Sequence, residues 1–175
     1  MVLYRRNRVP GAYYFFTATL RNRSSRLLVD AVAELRLAYS DTCRRHPFET
    51  VAIVVLPEHL HTVWRLPEAD ADYSGRWRAI KSGFIRNLSR SGRAIPKSAK
   101  GEARIWQRRF WEHTIRNDAD LHAHVDYVHW NPVKHGHASR MREWPYSSFH
   151  RYVRSGVLAN DWGGELIVPP GNFGE

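Results

Sequence analysis

Two imidazoles one residue apart, His59-Leu60-His61, directly follow the apolar run Val51-Ala52-Ile53-Val54-Val55-Leu56, and far downstream Tyr127 stands four residues before Asn131. Side chains on a strand alternate with period two, so both histidines point to one face. Two imidazoles on one face are half of a metal site. A tyrosine and an amide four apart on a helix also share a face, so Asn131 can complete that site and bring the Tyr127 hydroxyl beside the ion. Such a set suits nucleophilic attack on phosphorus. The plainer reading of Tyr127 is a half-buried residue at a helix rim, bonding through its hydroxyl. His113, His122, His129, His135, His137 and His150 show no comparable pairing and read as surface or local hydrogen-bonding residues.

The elements that must hold these groups are legible in outline. Tyr13–Leu20 is aromatic and β-branched between Gly11 and Arg21-Asn22-Arg23, which predicts a central strand. Apolar residues recur at Leu27, Leu28, Ala31, Leu35, Ala38 and Tyr39, predicting one helix from Leu27 to about Arg45, closed before Pro47. Val51–Leu56, the turn Pro57-Glu58 and the alternating His59–Leu66 predict a hairpin. Ser74 caps a second helix from about Gly75 to Leu88, with Trp77, Ile80, Phe84 and Leu88 on one side and Arg76, Arg78, Lys81 and Arg86 on the other. Residues 89–103 read as a mobile basic loop, and Arg104–Phe110 as a short strand. Asn117 or Asp118 then caps a helix ending near Trp130, before Asn131-Pro132, and Tyr146–Arg154 forms a short last helix. Strand, helix, strand, strand, helix, strand is an α+β, ferredoxin-like or RRM-like split βαβ order. It predicts an antiparallel sheet with helices on one face, a single domain over 1–155 and a tail over 156–175.

On the helix from Asp118, Leu121, Val125 and Val128 form a narrow apolar stripe, and Asp120, His124, Tyr127 and Asn131 a separate polar one. The net charge of +10 is unevenly placed: residues 73–113 hold 11 Lys and Arg against 2 Asp and Glu. A polyanion is the natural partner of such a block, and Trp77, Phe84, Trp106, Phe110 and Trp111 interleave aromatic faces on which bases can stack. One cysteine, Cys43, forms no internal disulfide. The start of the chain lacks the apolar segment of a signal peptide, and no run approaches the roughly 18 apolar residues of a membrane span. The expectation is a cytoplasmic protein without a membrane partner.

Four stretches together resemble a known family, the REP-associated tyrosine transposases of the HUH endonuclease superfamily, which are related to single-strand insertion-sequence transposases. They are Leu56-Pro57-Glu58-His59-Leu60-His61-Thr62-Val63-Trp64, Arg76-Trp77-Arg78-Ala79-Ile80-Lys81, Arg109-Phe110-Trp111-Glu112-His113-Thr114-Ile115-Arg116, and Val125 through Gly136. The resemblance spans roughly residues 4–162. It implies that His59 and His61 hold a divalent ion, Mg2+ or Mn2+, with Asn131, where related enzymes carry a glutamine, and that Tyr127 attacks a DNA phosphate. It implies a single-stranded substrate with a REP hairpin and an adjacent guide tetranucleotide, contacted through Arg21, Asn22 and Arg23. Arg76, Arg78, Lys81, Arg86, Arg109 and Lys134 complete the expected DNA-contact set, in a bacterial, nucleoid-associated protein that is a monomer or homodimer.

The implied reaction leaves a 5′-phosphotyrosine and a free 3′-hydroxyl, with His124, one turn from Tyr127, as a candidate base. Two alternatives remain open at this level. One is a non-catalytic binder of structured DNA on the same fold, and the other a metallonuclease using activated water without Tyr127.

Overall fold

The computed structural model describes residues 6–99, 101 and 103–163; the end of the expected tail, 164–175, lies outside them. Four strands, β1 (Tyr13–Thr19), β2 (Glu49–Val55), β3 (His59–Arg65) and β4 (Trp111–Thr114), pair antiparallel in the order β2-β3-β1-β4. The helices α1 (Leu27–Asp30) and α2 (Val32–Arg45) connect β1 to β2, and α3 (Tyr73–Arg90) connects β3 to β4. After β4 come α4 (Asp118–Lys134), a 3-10 turn (Met141–Glu143) and α5 (Phe149–Arg154). This is the α+β, ferredoxin-like order read from the sequence.

Period-two alternation gives the sheet two different faces. On one, Tyr14, Phe16 and Ala18 of β1, Leu20 just after it, and Leu60 and Trp64 of β3 are buried under α2 and α3. Trp64 and Trp77 stack there with ring centres 4.7 Å apart. On the other, Phe15, Val54 and Val63 pack with Val125, Tyr127 and Val128 of α4. The expectation of helices on one face therefore holds for the crossover helices alone. The helix α4 lies outside the split βαβ unit and covers the opposite face, which the chain can reach because β4 is an edge strand.

Several boundaries move for physical reasons. The last strand is Trp111–Thr114, not 104–110: Ile105 and Trp106 are anchored by a single bridge, Leu20 to Trp106, and Gln107, Arg108 and Arg109 are exposed. The first helical stretch breaks at Ala31, which departs from helical geometry at φ −125° and ψ 36°. Asp72 rather than Ser74 caps α3, accepting from the Gly75 amide, whereas Asn117 caps α4 as expected. Most consequentially, α4 does not stop at Trp130 but runs through Pro132 to Lys134. Its end is closed by Gly136 at φ 68°, with the His137 amide bonding to the Pro132 carbonyl and the Gly136 amide to that of Val133. Among the described residues no helix is long and apolar enough to cross a membrane.

Candidate active site

The alternation of β3 delivers His59 and His61 to the α4 face, opposite Thr19 and Thr17 of β1. Both imidazoles are buried, and their ring centres are 4.8 Å apart. A hydrogen bond of 2.9 Å joins His61 Nδ1 to Thr17 Oγ1, and another of 2.9 Å joins His59 Nδ1 to Glu58 Oε1. With Nδ1 held in each ring, Nε2 is the atom through which each ring would take an ion, and the outer partners fix its direction. Burial opposes ionisation of Glu58, yet the hydrogen bond and charge of His59, its own backbone and Arg23 outweigh it and hold the carboxyl below its usual range. Two imidazoles bonded to one ion at about 2.1 Å place their ring centres about 5 Å apart, so the pair fits an ion. His59 Nε2 is, in addition, a buried atom with no hydrogen-bond partner among the described residues, and a divalent ion would satisfy it.

The continuity of α4 through Pro132 supplies the other half. Tyr127 lies 5.4 Å from His61 between ring centres, and His135, two turns on, lies 5.2 Å from His59. Asn131, fully buried, occupies the turn between those contacts. The polar stripe of α4 is thus turned inward because it meets a sheet face that carries histidines and threonines. Tyr127 is only 1% exposed, held edge-on by Phe15 at 5.9 Å. Lys134, one of the expected DNA contacts, donates from Nζ to the Tyr127 hydroxyl at 3.0 Å and lies 4.8 Å from the centre of its ring.

The remaining expected DNA contacts divide. Arg21, Asn22, Arg23, Arg78, Arg86 and Arg109 are exposed. Arg23 and Arg109 line, with His59, Thr19, Gln107 and Trp111, a recess of about 200 Å³. Arg76 does not belong in the set: it is 3% exposed, and its guanidinium donates to the carbonyls of His46, Pro47 and Asp72 and to the Asp70 carboxylate. Lys81 bonds to the Gln107 carbonyl at 3.0 Å between the rings of Trp106 and Phe110. Burial and then the charge of Arg6 bring its pKa down to about 8. A larger cavity, about 330 Å³ between α2, β2 and Tyr146, borders none of the catalytic candidates.

Sequence reading missed one cluster on the same face. His113 of β4 meets Asp120 at 2.9 Å and His124 meets Asp120 at 3.1 Å, with the ligand atoms of all three within 4.8 Å of one another. The spacing of Asp120 and His124, one helical turn, was a visible signal; the approach of His113 needs the tertiary fold. His135 was likewise set aside, and its place beside His59 follows only once α4 continues past Pro132.

No family model matches this chain. A solved structure of a REP-associated tyrosine transposase bound to a REP hairpin matches it with a TM-score of 0.82 and 44% identity, covering 98% of both chains. The Escherichia coli K12 protein named REP-associated tyrosine transposase is 47% identical over 163 residues, 93% of this chain and 92% of its own. A Haemophilus influenzae relative given the same family name is 48% identical over 163 residues, 92% of this chain and 93% of its own. Identity of that order over nearly the whole length, on a shared fold, settles the family: the chain belongs to the REP-associated tyrosine transposases.

Proposed function

We propose that the protein is a metal-dependent endonuclease and strand transferase for single-stranded DNA bearing a REP hairpin, acting through a 5′-phosphotyrosine on Tyr127. His59, His61 and Asn131 are the proposed ligands for Mg2+ or Mn2+; two imidazoles suit manganese at least as well as magnesium. The observation that carries this reading is the meeting of the Tyr127 ring with His61 beside His59 and buried Asn131. The related structure's bound REP hairpin supports the same substrate here, with an adjacent guide tetranucleotide contacted by Arg21, Asn22 and Arg23. When bound, the divalent ion would supply positive charge to the non-bridging oxygens of the scissile phosphate.

The chain's own residues do the rest. Thr17 and Glu58 hold the two imidazoles in orientation through Nδ1. Arg23 and Arg109, at the recess beside His59, take backbone phosphates and fix the strand against the site. Lys134 lies across the Tyr127 hydroxyl and must lift from it before a phosphorus atom can approach. Its ammonium favours negative charge as this develops on the phenol oxygen or on the phosphate. Attack forms the bond from Tyr127 oxygen to phosphorus and breaks the bond from phosphorus to the 3′-oxygen. The phenol proton passes to solvent, and the departing oxygen takes a proton from solvent. The reverse attack, by a 3′-hydroxyl on the phosphotyrosine, rejoins strands without ATP because the bond energy is retained.

The test incubates the protein with a REP-hairpin strand labelled at its 3′ end, the side that the phosphotyrosine retains, and Mn2+ or Mg2+, then denatures it. Label is expected to migrate with the wild type and not with Tyr127→Phe, while hairpin affinity changes less than about threefold. Cutting by the Phe variant, with no adduct in either protein, would favour activated water instead.

A further inference from the structure

We propose that His113, Asp120 and His124 form a second divalent-ion site, of the kind that takes Zn2+, fastening β4 to the first turns of the helix that carries Tyr127. This site does not depend on the nuclease reading, since none of its residues belongs to the His59, His61 and Asn131 set.

The three side chains bring their ligand atoms within 4.8 Å of one another, close enough to contract onto one ion. Ligand atoms bonded to one zinc at about 2.0–2.2 Å lie about 3–3.5 Å from one another. His113 Nε2 is 2.9 Å from Asp120 Oδ2, and His124 Nδ1 is 3.1 Å from Asp120 Oδ1. The two imidazoles stack with centres 4.6 Å apart and planes 13° from parallel, and an ion held by both requires one ring to turn out of the stack so that the two in-plane lone pairs converge. Two nitrogens and a carboxylate oxygen leave a fourth tetrahedral position for water, a donor set suited to zinc.

The surroundings hold this shell in place. Phe15 packs on His124 at 4.9 Å, and Trp111 lies parallel to His113 at 6.1 Å. The Arg116 amide donates to Asp120 Oδ2 at 2.9 Å, the kind of outer bond that orients a ligating carboxylate. The side chains of His113 and Asp120 retain 18% and 21% exposure, so an ion can enter from solvent. Ion binding at His124 Nδ1 requires this nitrogen to give up its 2.8 Å hydrogen bond to the Asp120 carbonyl and each imidazole proton to sit on the ring nitrogen that faces away from the ion.

The Phe15 ring contacts both His61 and His124, marking two separate imidazole groups on one sheet face. The experiment separates them. Metal-stripped full-length protein is titrated with Zn2+ by calorimetry as wild type, as His59→Ala/His61→Ala, as His124→Ala and as Asp120→Asn. The double variant is expected to keep one equivalent of zinc. In the wild-type background, Asp120→Asn and His124→Ala are each expected to weaken one class of site about tenfold or more while sparing the other. With Co2+ as the probe, the visible absorption of a nitrogen and oxygen shell should survive the double variant and fade in Asp120→Asn. Asp120→Asn is nearly isosteric, so it serves if His124→Ala fails to fold. Loss of all zinc in the folded double variant, or zinc titrations of Asp120→Asn that match the wild type, would overturn the proposal and leave a hydrogen-bonded clamp. Whether the wild type forms a DNA adduct bears on the nuclease reading alone.

Discussion

The two faces of the sheet are built from the same strands and do different work. Under α2 and α3, Tyr14, Phe16, Leu60, Trp64 and Trp77 form an apolar, largely aromatic layer. Under α4 the alternate residues of β1 and β3 are Phe15, Thr17, His59, His61 and Val63, a layer in which Thr17 bonds His61 and the polar groups gather around the two imidazoles. One strand therefore contributes to the apolar core with every second residue and to the proposed site with the residues between. Because a one-residue slip of β3 would exchange the two sets, the apolar face fixes the register in which His59 and His61 meet Thr19 and Thr17.

That contrast can be broken from either side. Trp64→Ala empties a fully buried site, and unfolding in denaturant should show a loss of about 3–5 kcal/mol. His61→Ala, on the other face, should cost about 1–2 kcal/mol, the order of a buried polar group losing its partner, while lowering adduct formation about a hundredfold or more. Equal stability losses at both positions would contradict the division. The next largest effect separates two arginines of α3. Arg76→Ala should cost about 3 kcal/mol, since three carbonyls and the partly exposed Asp70 carboxylate lose their buried donor, and hairpin affinity of the folded fraction should stay unchanged. Arg78→Ala should leave the unfolding midpoint in place and weaken hairpin binding a few-fold, with a shallower salt dependence.

Lys134 sharpens the comparison within the polar face. Lys134→Met should slow adduct formation at saturating hairpin by about 10- to 100-fold, and Lys134→Arg should recover most of that loss; a change in affinity alone would make it only a phosphate contact. The smallest effect lies at Lys81, a cation held among aromatic rings with a pKa near 8. An unfolded lysine binds its proton up to about pH 10.4, so between pH 8 and that value the unfolded chain holds the extra proton. Stability from this group therefore rises with pH across that window. The unfolding midpoint of wild type should rise relative to that of Lys81→Met as pH climbs through it.

What the sequence disclosed was local. The strand at Tyr13, the hairpin ending in His59-Leu60-His61 and the same-face pairing of Tyr127 with Asn131 all follow from periodicity over a few residues. What it concealed depends on distant parts of the chain. The side of the sheet taken by α4 is decided by which layer remains uncovered after α2 and α3 have packed. A proline normally ends a helix because it clashes with the preceding turn. Here the helix continues because its last carbonyls are taken up by the closing turn at Gly136 and its buried face packs on the sheet. Arg76 carried the same signature as Arg78, and only the carbonyls of the α2–β2 connection show that it points inward. His113 and Asp120 gave no joint signal because one lies on β4 and the other on α4.

The central claim is that Tyr127 is the nucleophile of a site formed with His59, His61 and Asn131. The most direct measurement is to digest the denatured product of wild type with labelled REP-hairpin strand and Mn2+, and to map the nucleotide-bearing peptide by mass spectrometry. The account predicts the added phosphonucleotide mass on Tyr127 alone. Nucleotide mass on any other residue, or cut strands with 5′-phosphate ends and no modified peptide, would contradict it.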